Sequence, residues 1–204
     1  LRPWIQFLRE MCDFEQYWQV QFHTHDLRPD MSGGSGLRSL VMWDPRSGLK
    51  FANNEPLRPH FEKSQIAIFC ADNHGPGVQH VALSLPDLCQ SVQSLRQRSI
   101  QFLSTPGTYY DALPQRLSEL KVPPVREPLQ RLRELGIQLD GSQEGYLLQI
   151  FMKDASLYFE DPAAGPFFLE LIQREGARSF GEGNFRALFE AIEREQSGQA
   201  WPAQ

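Results

Sequence analysis

Gly77-Val78-Gln79-His80-Val81-Ala82 and Phe168-Leu169-Glu170-Leu171-Ile172-Gln173 decide how this chain is read. Each is a short strand-like run with one strong metal-binding side chain set into it. An ionised carboxylate at Glu170, among Phe167, Phe168, Leu169, Leu171 and Ile172, is costly unless it is paired or bound to a cation. His80 sits similarly among Val78, Val81 and Ala82. If two strands bring the pair together, they supply two-thirds of a two-histidine, one-carboxylate iron site. Taken singly, a hydrogen-bonded core histidine and a solvent-facing strand glutamate fit the same pattern.

Working outward, a break at Asn73, Gly75, Pro76 and Gly77 separates residues 1–76 from residues 77–204. The first part opens on an amphipathic helix over 3–12, with Trp4, Phe7, Leu8 and Met11 at i, i+3, i+4, i+7. Trp18, Val20 and Phe22 alternate with glutamines, which is strand periodicity. Residues 24–36 read as a glycine-rich loop. Leu37–Trp43 is a strand, Asp44–Gly48 a turn, and Lys50–Asn54 a short strand ended by Pro56 and Pro59. Ser64 is placed to cap a short helix carrying Ile66, Phe69 and Cys70.

The second part predicts a strand from Val78 to Ser84, a helix opening at Pro86-Asp87, and a strand from Ile100 to Ser104. Helices follow over 109–120 and 128–135, interrupted by Val122-Pro123-Pro124. Asp140-Gly141 reads as a turn, Gly145–Phe151 as a strand, Leu157–Glu160 as its extension or successor, and Phe167–Gln173 as the last strand. A tail helix over 183–196 carries Phe185, Leu188, Phe189 and Ile192, with Asn184 as its cap. The two parts match as modules if the first lacks its opening strand.

Composition bounds the function. The chain has 204 residues, 41% of them hydrophobic and 11% aromatic, enough for a packed interior. A net charge of -5 and an absence of basic runs give no reason to expect nucleic acid or an anionic membrane. No apolar stretch approaches membrane-spanning length. Cys12, Cys70 and Cys89 are odd in number and widely spaced, which fits a reduced, cytosolic setting. Gln65, Gln79 and Gln149 interrupt apolar runs, where an uncharged amide could orient a polar ligand or face solvent. His23 and His25 share one side of a strand end, as a metal pair or a solvated edge. No phosphate loop, nucleophile elbow or zinc cysteine spacing is present.

Eight runs, in order, resemble the C-terminal catalytic domain of the 4-hydroxyphenylpyruvate dioxygenase family. They are Leu37-Arg38-Ser39, Asn54-Glu55-Pro56, Lys63-Ser64-Gln65-Ile66, Gly77-Val78-Gln79-His80, Phe102-Leu103-Ser104-Thr105-Pro106 with Tyr109-Tyr110, Gly145 to Phe151, Phe168 to Arg174, and Phe180 to Phe185. The resemblance implies an α+β fold of paired βαβββ modules, the vicinal-oxygen-chelate (glyoxalase/bleomycin-resistance-like) architecture, closed by a gating C-terminal helix. It implies His80 and Glu170 as Fe(II) ligands. Gln65, Gln79, Gln149, Ser39 and Asn54 would line the pocket for substrate and O2. Phe151 and Phe168 would be its walls, and Phe180, Asn184 and Phe185 would belong to the gating helix. The implied reaction converts 4-hydroxyphenylpyruvate and O2 to homogentisate and CO2 in tyrosine catabolism.

Two departures shape the expectations. The family's first iron histidine lies on a strand ahead of the helix at 3–12, so this chain is expected to lack that strand and that ligand. The segment 154–165 is longer than in the family. Hydroxymandelate synthase, acting on the same substrate, is a narrower reading, and a metal-free binding or inactive module is another. An exposed sheet edge would also permit a homo-oligomer.

Overall fold

The computed structural model describes residues 1–23, 36–57, 64–177, 181, 183 and 184, with Phe22, His23 and Gln65 described by their backbone alone. The chain divides into two compact units, one spanning Leu1–Gly77 and the other beginning at Val78. Among the described residues no helix is long and apolar enough to cross a membrane.

In the first unit, helix α1 (Arg2–Cys12) lies on an antiparallel sheet with strand order β1 (Glu15–His23), β2 (Gly36–Trp43), β3 (Lys50–Leu57). Ile5 and Leu8 of α1 pack on Met42, with Leu1, Phe14, Leu40 and Phe51 around them. The periodicity expected Trp4, Phe7, Leu8 and Met11 to face the core. Instead Trp4, Phe7 and Met11 are exposed, and Trp4 stacks on Phe7 at 5.2 Å. The helix carries apolar residues on more than one stripe, so its spacing alone does not choose the packed one. Strand β3 runs through Pro56, which pairs with Leu37, where the sequence suggested a break. It is an edge strand, and an edge is where a residue without an N–H is tolerated. Helix α2 (Gln65–Asp72) is capped as expected, Ser64 Oγ accepting from the Ala67 amide at 3.1 Å.

The second unit holds a mixed sheet in the order β4 (His80–Ser84), β7 (Phe168–Glu175), β6 (Gly145–Phe151), β5 (Gln138–Ser142). Strands β4 and β7 run parallel, and the other pairs run antiparallel. The crossover from β4 begins with α3 (Leu88–Gln97), capped by Asp87, whose side chain accepts from the Gln90 amide at 2.8 Å. Helices α4 (Gly107–Glu119) and α5 (Leu129–Glu134) follow before β5. One face of the sheet is covered: Leu88, Val92, Tyr109, Leu113 and Leu132 pack on Leu139, Leu148, Ile150 and Leu171. Side chains alternate along a strand, so the opposite face takes the intervening residues, His80, Glu170, Gln149 and Gln138 among them.

Three local expectations for this unit are corrected. Ile100–Ser104 is not a strand; it makes one isolated bridge, Phe102 to Met152, because β5 occupies the long edge of β6. Asp140-Gly141 lies inside β5, and the reversal falls after it at Gln143-Glu144. A tertiary contact decides this, since Asp140 is buried and accepts from the Gly183 amide at 2.9 Å. Leu157–Glu160 is not a strand either. Asp154 caps α6 (Ala155–Phe159), accepting from the Leu157 amide at 3.0 Å, and a single 3-10 turn, Pro162–Ala164, follows. Of the tail helix, only Gly183 and Asn184 fall among the described residues, both helical. Asn184 Oδ1 accepts from Tyr109 and Arg116, and the residues it was expected to cap lie outside the described residues.

Candidate metal centre

The parallel pairing of β4 with β7 creates the centre. In that register His80 stands opposite Phe168, and Glu170 opposite Ala82, so the two candidate ligands are diagonal neighbours on one face. The ladder is continued by the Phe168 amide, which donates to Gln79 O at 3.1 Å. His80 Nε2 lies 3.5 Å from Glu170 Oε2. Two donor atoms at that separation can share one first-row cation at the roughly 2.0–2.2 Å bond lengths such ions take. Among the described residues no group of three or more His, Cys, Asp and Glu side chains surrounds a common point, so the pair stands without a third ligand of those types.

Burial controls the charge of both groups. Glu170 is 7% exposed, and its removal from water pushes the carboxyl up to about 7, partly opposed by the charge of Arg174. Burial also pushes the His80 imidazole below its ordinary range. The contact is therefore one between a neutral imidazole and a carboxyl that resists ionising. A divalent cation between them reverses the preference of Glu170 and uses the neutral form of His80. The donor set thus fits a metal ion better than it fits a histidine–glutamate ion pair.

Around the pair the chain supplies walls and polar support. The Phe168 ring stacks on the imidazole at 4.9 Å and 15°, and Phe151 stands edge-on to both rings, at 6.2 Å and 6.1 Å. Gln79 Oε1 is 3.3 Å from His80 Nδ1. If the amide oxygen accepts there, the proton stays on Nδ1 and the Nε2 lone pair faces Glu170. Gln149 lies on the same face of β6, opposite Ile172, with Phe151 opposite Glu170. It is buried, its Nε2 donates to Gln138 Oε1 at 3.4 Å, and its Oε1 has no hydrogen-bond partner among the described residues. A buried carboxamide with one unengaged oxygen is a ready contact for a ligand's polar hydrogen.

The remaining candidates fall elsewhere. Ser39 and Asn54 belong to the first unit, where they are direct cross-strand partners on the face away from α1; Ser39 is buried and Asn54 exposed. Gln65 opens α2 in the same unit, and its side chain lies outside the description. Asn184 is fully enclosed: Tyr109 Oη donates to its Oδ1 at 2.6 Å and Arg116 Nη2 at 3.0 Å. Phe180, Phe185 and His25 lie outside the described residues, as does the side chain of His23. Gln138, buried and bonded to Gln149 and Thr105, joins the face without having been anticipated. Its signal is a polar residue opening the run Gln138-Leu139-Asp140, which the turn composition of Asp140-Gly141 conceals.

No protein-family profile matches the chain. Several curated proteins do. A 4-hydroxyphenylpyruvate dioxygenase from Neurospora crassa is 38% identical over 192 residues, covering 94% of this chain and 44% of that protein. One from Danio rerio is 40% identical over 189 residues, covering 91% of this chain and 44% of that protein. One from Pseudomonas aeruginosa is 42% identical over 164 residues, covering 79% and 42% respectively. Among solved structures, a substituted variant of 4-hydroxymandelate synthase from Streptomyces coelicolor matches with a TM-score of 0.69 at 33% identity, covering 96% of this chain and 51% of that one. A fusion of a xylose isomerase-like TIM barrel with a 4-hydroxyphenylpyruvate dioxygenase shares the fold, with a TM-score of 0.61 at 20% identity, covering 95% of this chain and 27% of that one. The chain spans less than half the length of the curated relatives it matches. Over nearly all of its own length, this chain is homologous to part of the 4-hydroxyphenylpyruvate dioxygenases, with their vicinal-oxygen-chelate architecture.

Proposed function

We propose that the chain is the iron-binding portion of an Fe(II)-dependent dioxygenase that converts 4-hydroxyphenylpyruvate and O2 to homogentisate and CO2. The observation that carries the reading is the His80–Glu170 contact, made by two separate sequence runs in a chain about 40% identical to such dioxygenases. Iron held there would offer open positions to the 2-oxo acid and to O2. The chain's own residues do the rest. Glu170 gives up its proton on loading, and His80 presents Nε2 while Gln79 holds Nδ1. Phe151 and Phe168 confine the aromatic ring and exclude water. Gln149 engages the substrate's polar end. Three unpaired cysteines support a reducing cytosolic setting.

A second reading is hydroxymandelate synthase chemistry on the same substrate, favoured by the 0.69 TM-score to that enzyme. Chromatography of the products formed from 4-hydroxyphenylpyruvate with Fe(II) and O2 separates them. Homogentisate supports the first reading and hydroxymandelate the second. An intact, iron-loaded protein that forms neither sinks both and leaves a binding module.

A further inference from the structure

Gly181, Gly183 and Asn184 are fastened to the second unit by a set of backbone and side-chain hydrogen bonds. Gly183 donates its amide to Asp140 Oδ2 at 2.9 Å, and Asn184 folds its amide back to Gly181 O at 3.0 Å. Asn184 Oδ1 receives Tyr109 Oη at 2.6 Å and Arg116 Nη2 at 3.0 Å. The guanidinium of Arg116 also donates to Tyr109 Oη at 2.8 Å and to Leu139 O, and its centre lies 4.8 Å from the Tyr109 ring centroid. All these anchors belong to α4 and β5, elements that carry none of the candidate ligands.

What the anchor holds in place is Gly181. Its φ of +77° belongs to the left-handed region that favours glycine. A Cβ built there would overlap Gln149 Oε1 and crowd both other atoms of the same carboxamide. Backbone at Gly181 thus lies directly on the Gln149 amide. That amide is buried on the face that carries His80 and Glu170, and its oxygen lacks a hydrogen-bond partner among the described residues.

We propose that Tyr109, Arg116 and Asp140 are positioning residues: they pin Gly183 and Asn184 so that Gly181 fixes the Gln149 carboxamide in its substrate-binding rotamer. The inference rests on the reading of Gln149 as a contact for the 2-oxo acid substrate. The selectivity of the pocket is then set in part from the far edge of the sheet, by residues that touch neither metal nor substrate.

A double-mutant cycle on the intact, Fe(II)-loaded protein tests it, with anaerobic calorimetric titration of 4-hydroxyphenylpyruvate as the readout. Tyr109→Phe removes the hydroxyl that meets Asn184, Arg116 and the Leu139 backbone together and should weaken binding by about fivefold or more, with iron stoichiometry unchanged. In a Gln149→Ala background the same change should have no further effect, because the residue it acts through is gone. An equal loss in both backgrounds, or no loss in either, overturns the anchor proposal while leaving the pocket reading intact. Unchanged binding by Gln149→Ala alone overturns the pocket reading and this inference with it. If Tyr109→Phe does not fold, Arg116→Lys takes its place in the same cycle with the same criteria.

Discussion

The two units use one plan to different ends. Each lays helix on one face of a small sheet and leaves polar side chains on the other: Ser39 and Asn54 in the first, His80, Glu170, Gln149 and Gln138 in the second. The difference is a parallel neighbour. In the second unit the last strand, β7, has β4 beside it, and each contributes one candidate ligand. In the first unit the last strand, β3, pairs with β2 alone among the described strands. Antiparallel meanders align residues that are close in sequence. The parallel pair joins runs about ninety positions apart and gives each an independent side chain to offer.

The comparison can be broken most directly at the ligands. His80→Ala and Glu170→Ala should each lower Fe(II) affinity by more than about 100-fold, whereas Gln79→Ala, one bond removed, should cost about 10-fold to 100-fold. Equilibrium dialysis of the metal would show this; equal affinities in all four proteins would sink the assignment. With two candidate ligands among the described residues, the 204-residue chain should hold iron weakly, and tight stoichiometric iron would point to a third donor.

The next effect concerns packing. Leu148, fully buried between sheet and helices, should cost about 2–5 kcal/mol when changed to Ala, by denaturant titration. Trp4→Ala, on the exposed stripe of α1, should cost well under that in the isolated chain.

Acidity sharpens the contrast further. Burial raises the folded-state pKa of Glu170 to about 7, above its unfolded value of 4.5. The linked stability is complete below pH 4.5 and is lost as pH rises through about 7. The metal-free chain should therefore be less stable at pH 8 than at pH 5 by on the order of 2–3 kcal/mol from this group, and Glu170→Gln should remove that slope. A Gln variant with the same pH dependence as the parent would show that the slope arises elsewhere.

The smallest effects come from a device both units share. Ser64→Ala and Asp87→Ala each remove a helix N-cap and should cost about 1 kcal/mol, measured by thermal melting. A cost near zero at either site would mean that water replaces that cap.

The sequence made the strands of the metal pair legible because each is an apolar run with one misplaced polar residue. The strands β2 and β6 and the helices α1, α3 and α4 were legible for similar reasons of periodicity. It misled where tertiary contacts override local chemistry. Asp140-Gly141 has turn composition, yet Gly183 claims the Asp140 carboxylate and keeps the pair in a strand. Leu157–Glu160 has strand composition, yet Asp154 caps it into a helix. Pro56 reads as a terminator, yet an edge strand absorbs it. Gln138 escaped notice with its strand. The Tyr109–Arg116–Asn184 cluster joins positions too distant for any local pattern to link.

The β4–β7 pairing also dictates when the centre can exist. The β5–β6 hairpin closes a tight turn at Gln143-Glu144, but α3, α4, α5, β5, β6 and α6 all lie between His80 and β7. Closing so long a loop is entropically the slowest pairing in the unit. The two candidate ligands therefore meet among the last events of folding, and a partly folded chain, with its strands unjoined, does not yet hold His80 beside Glu170.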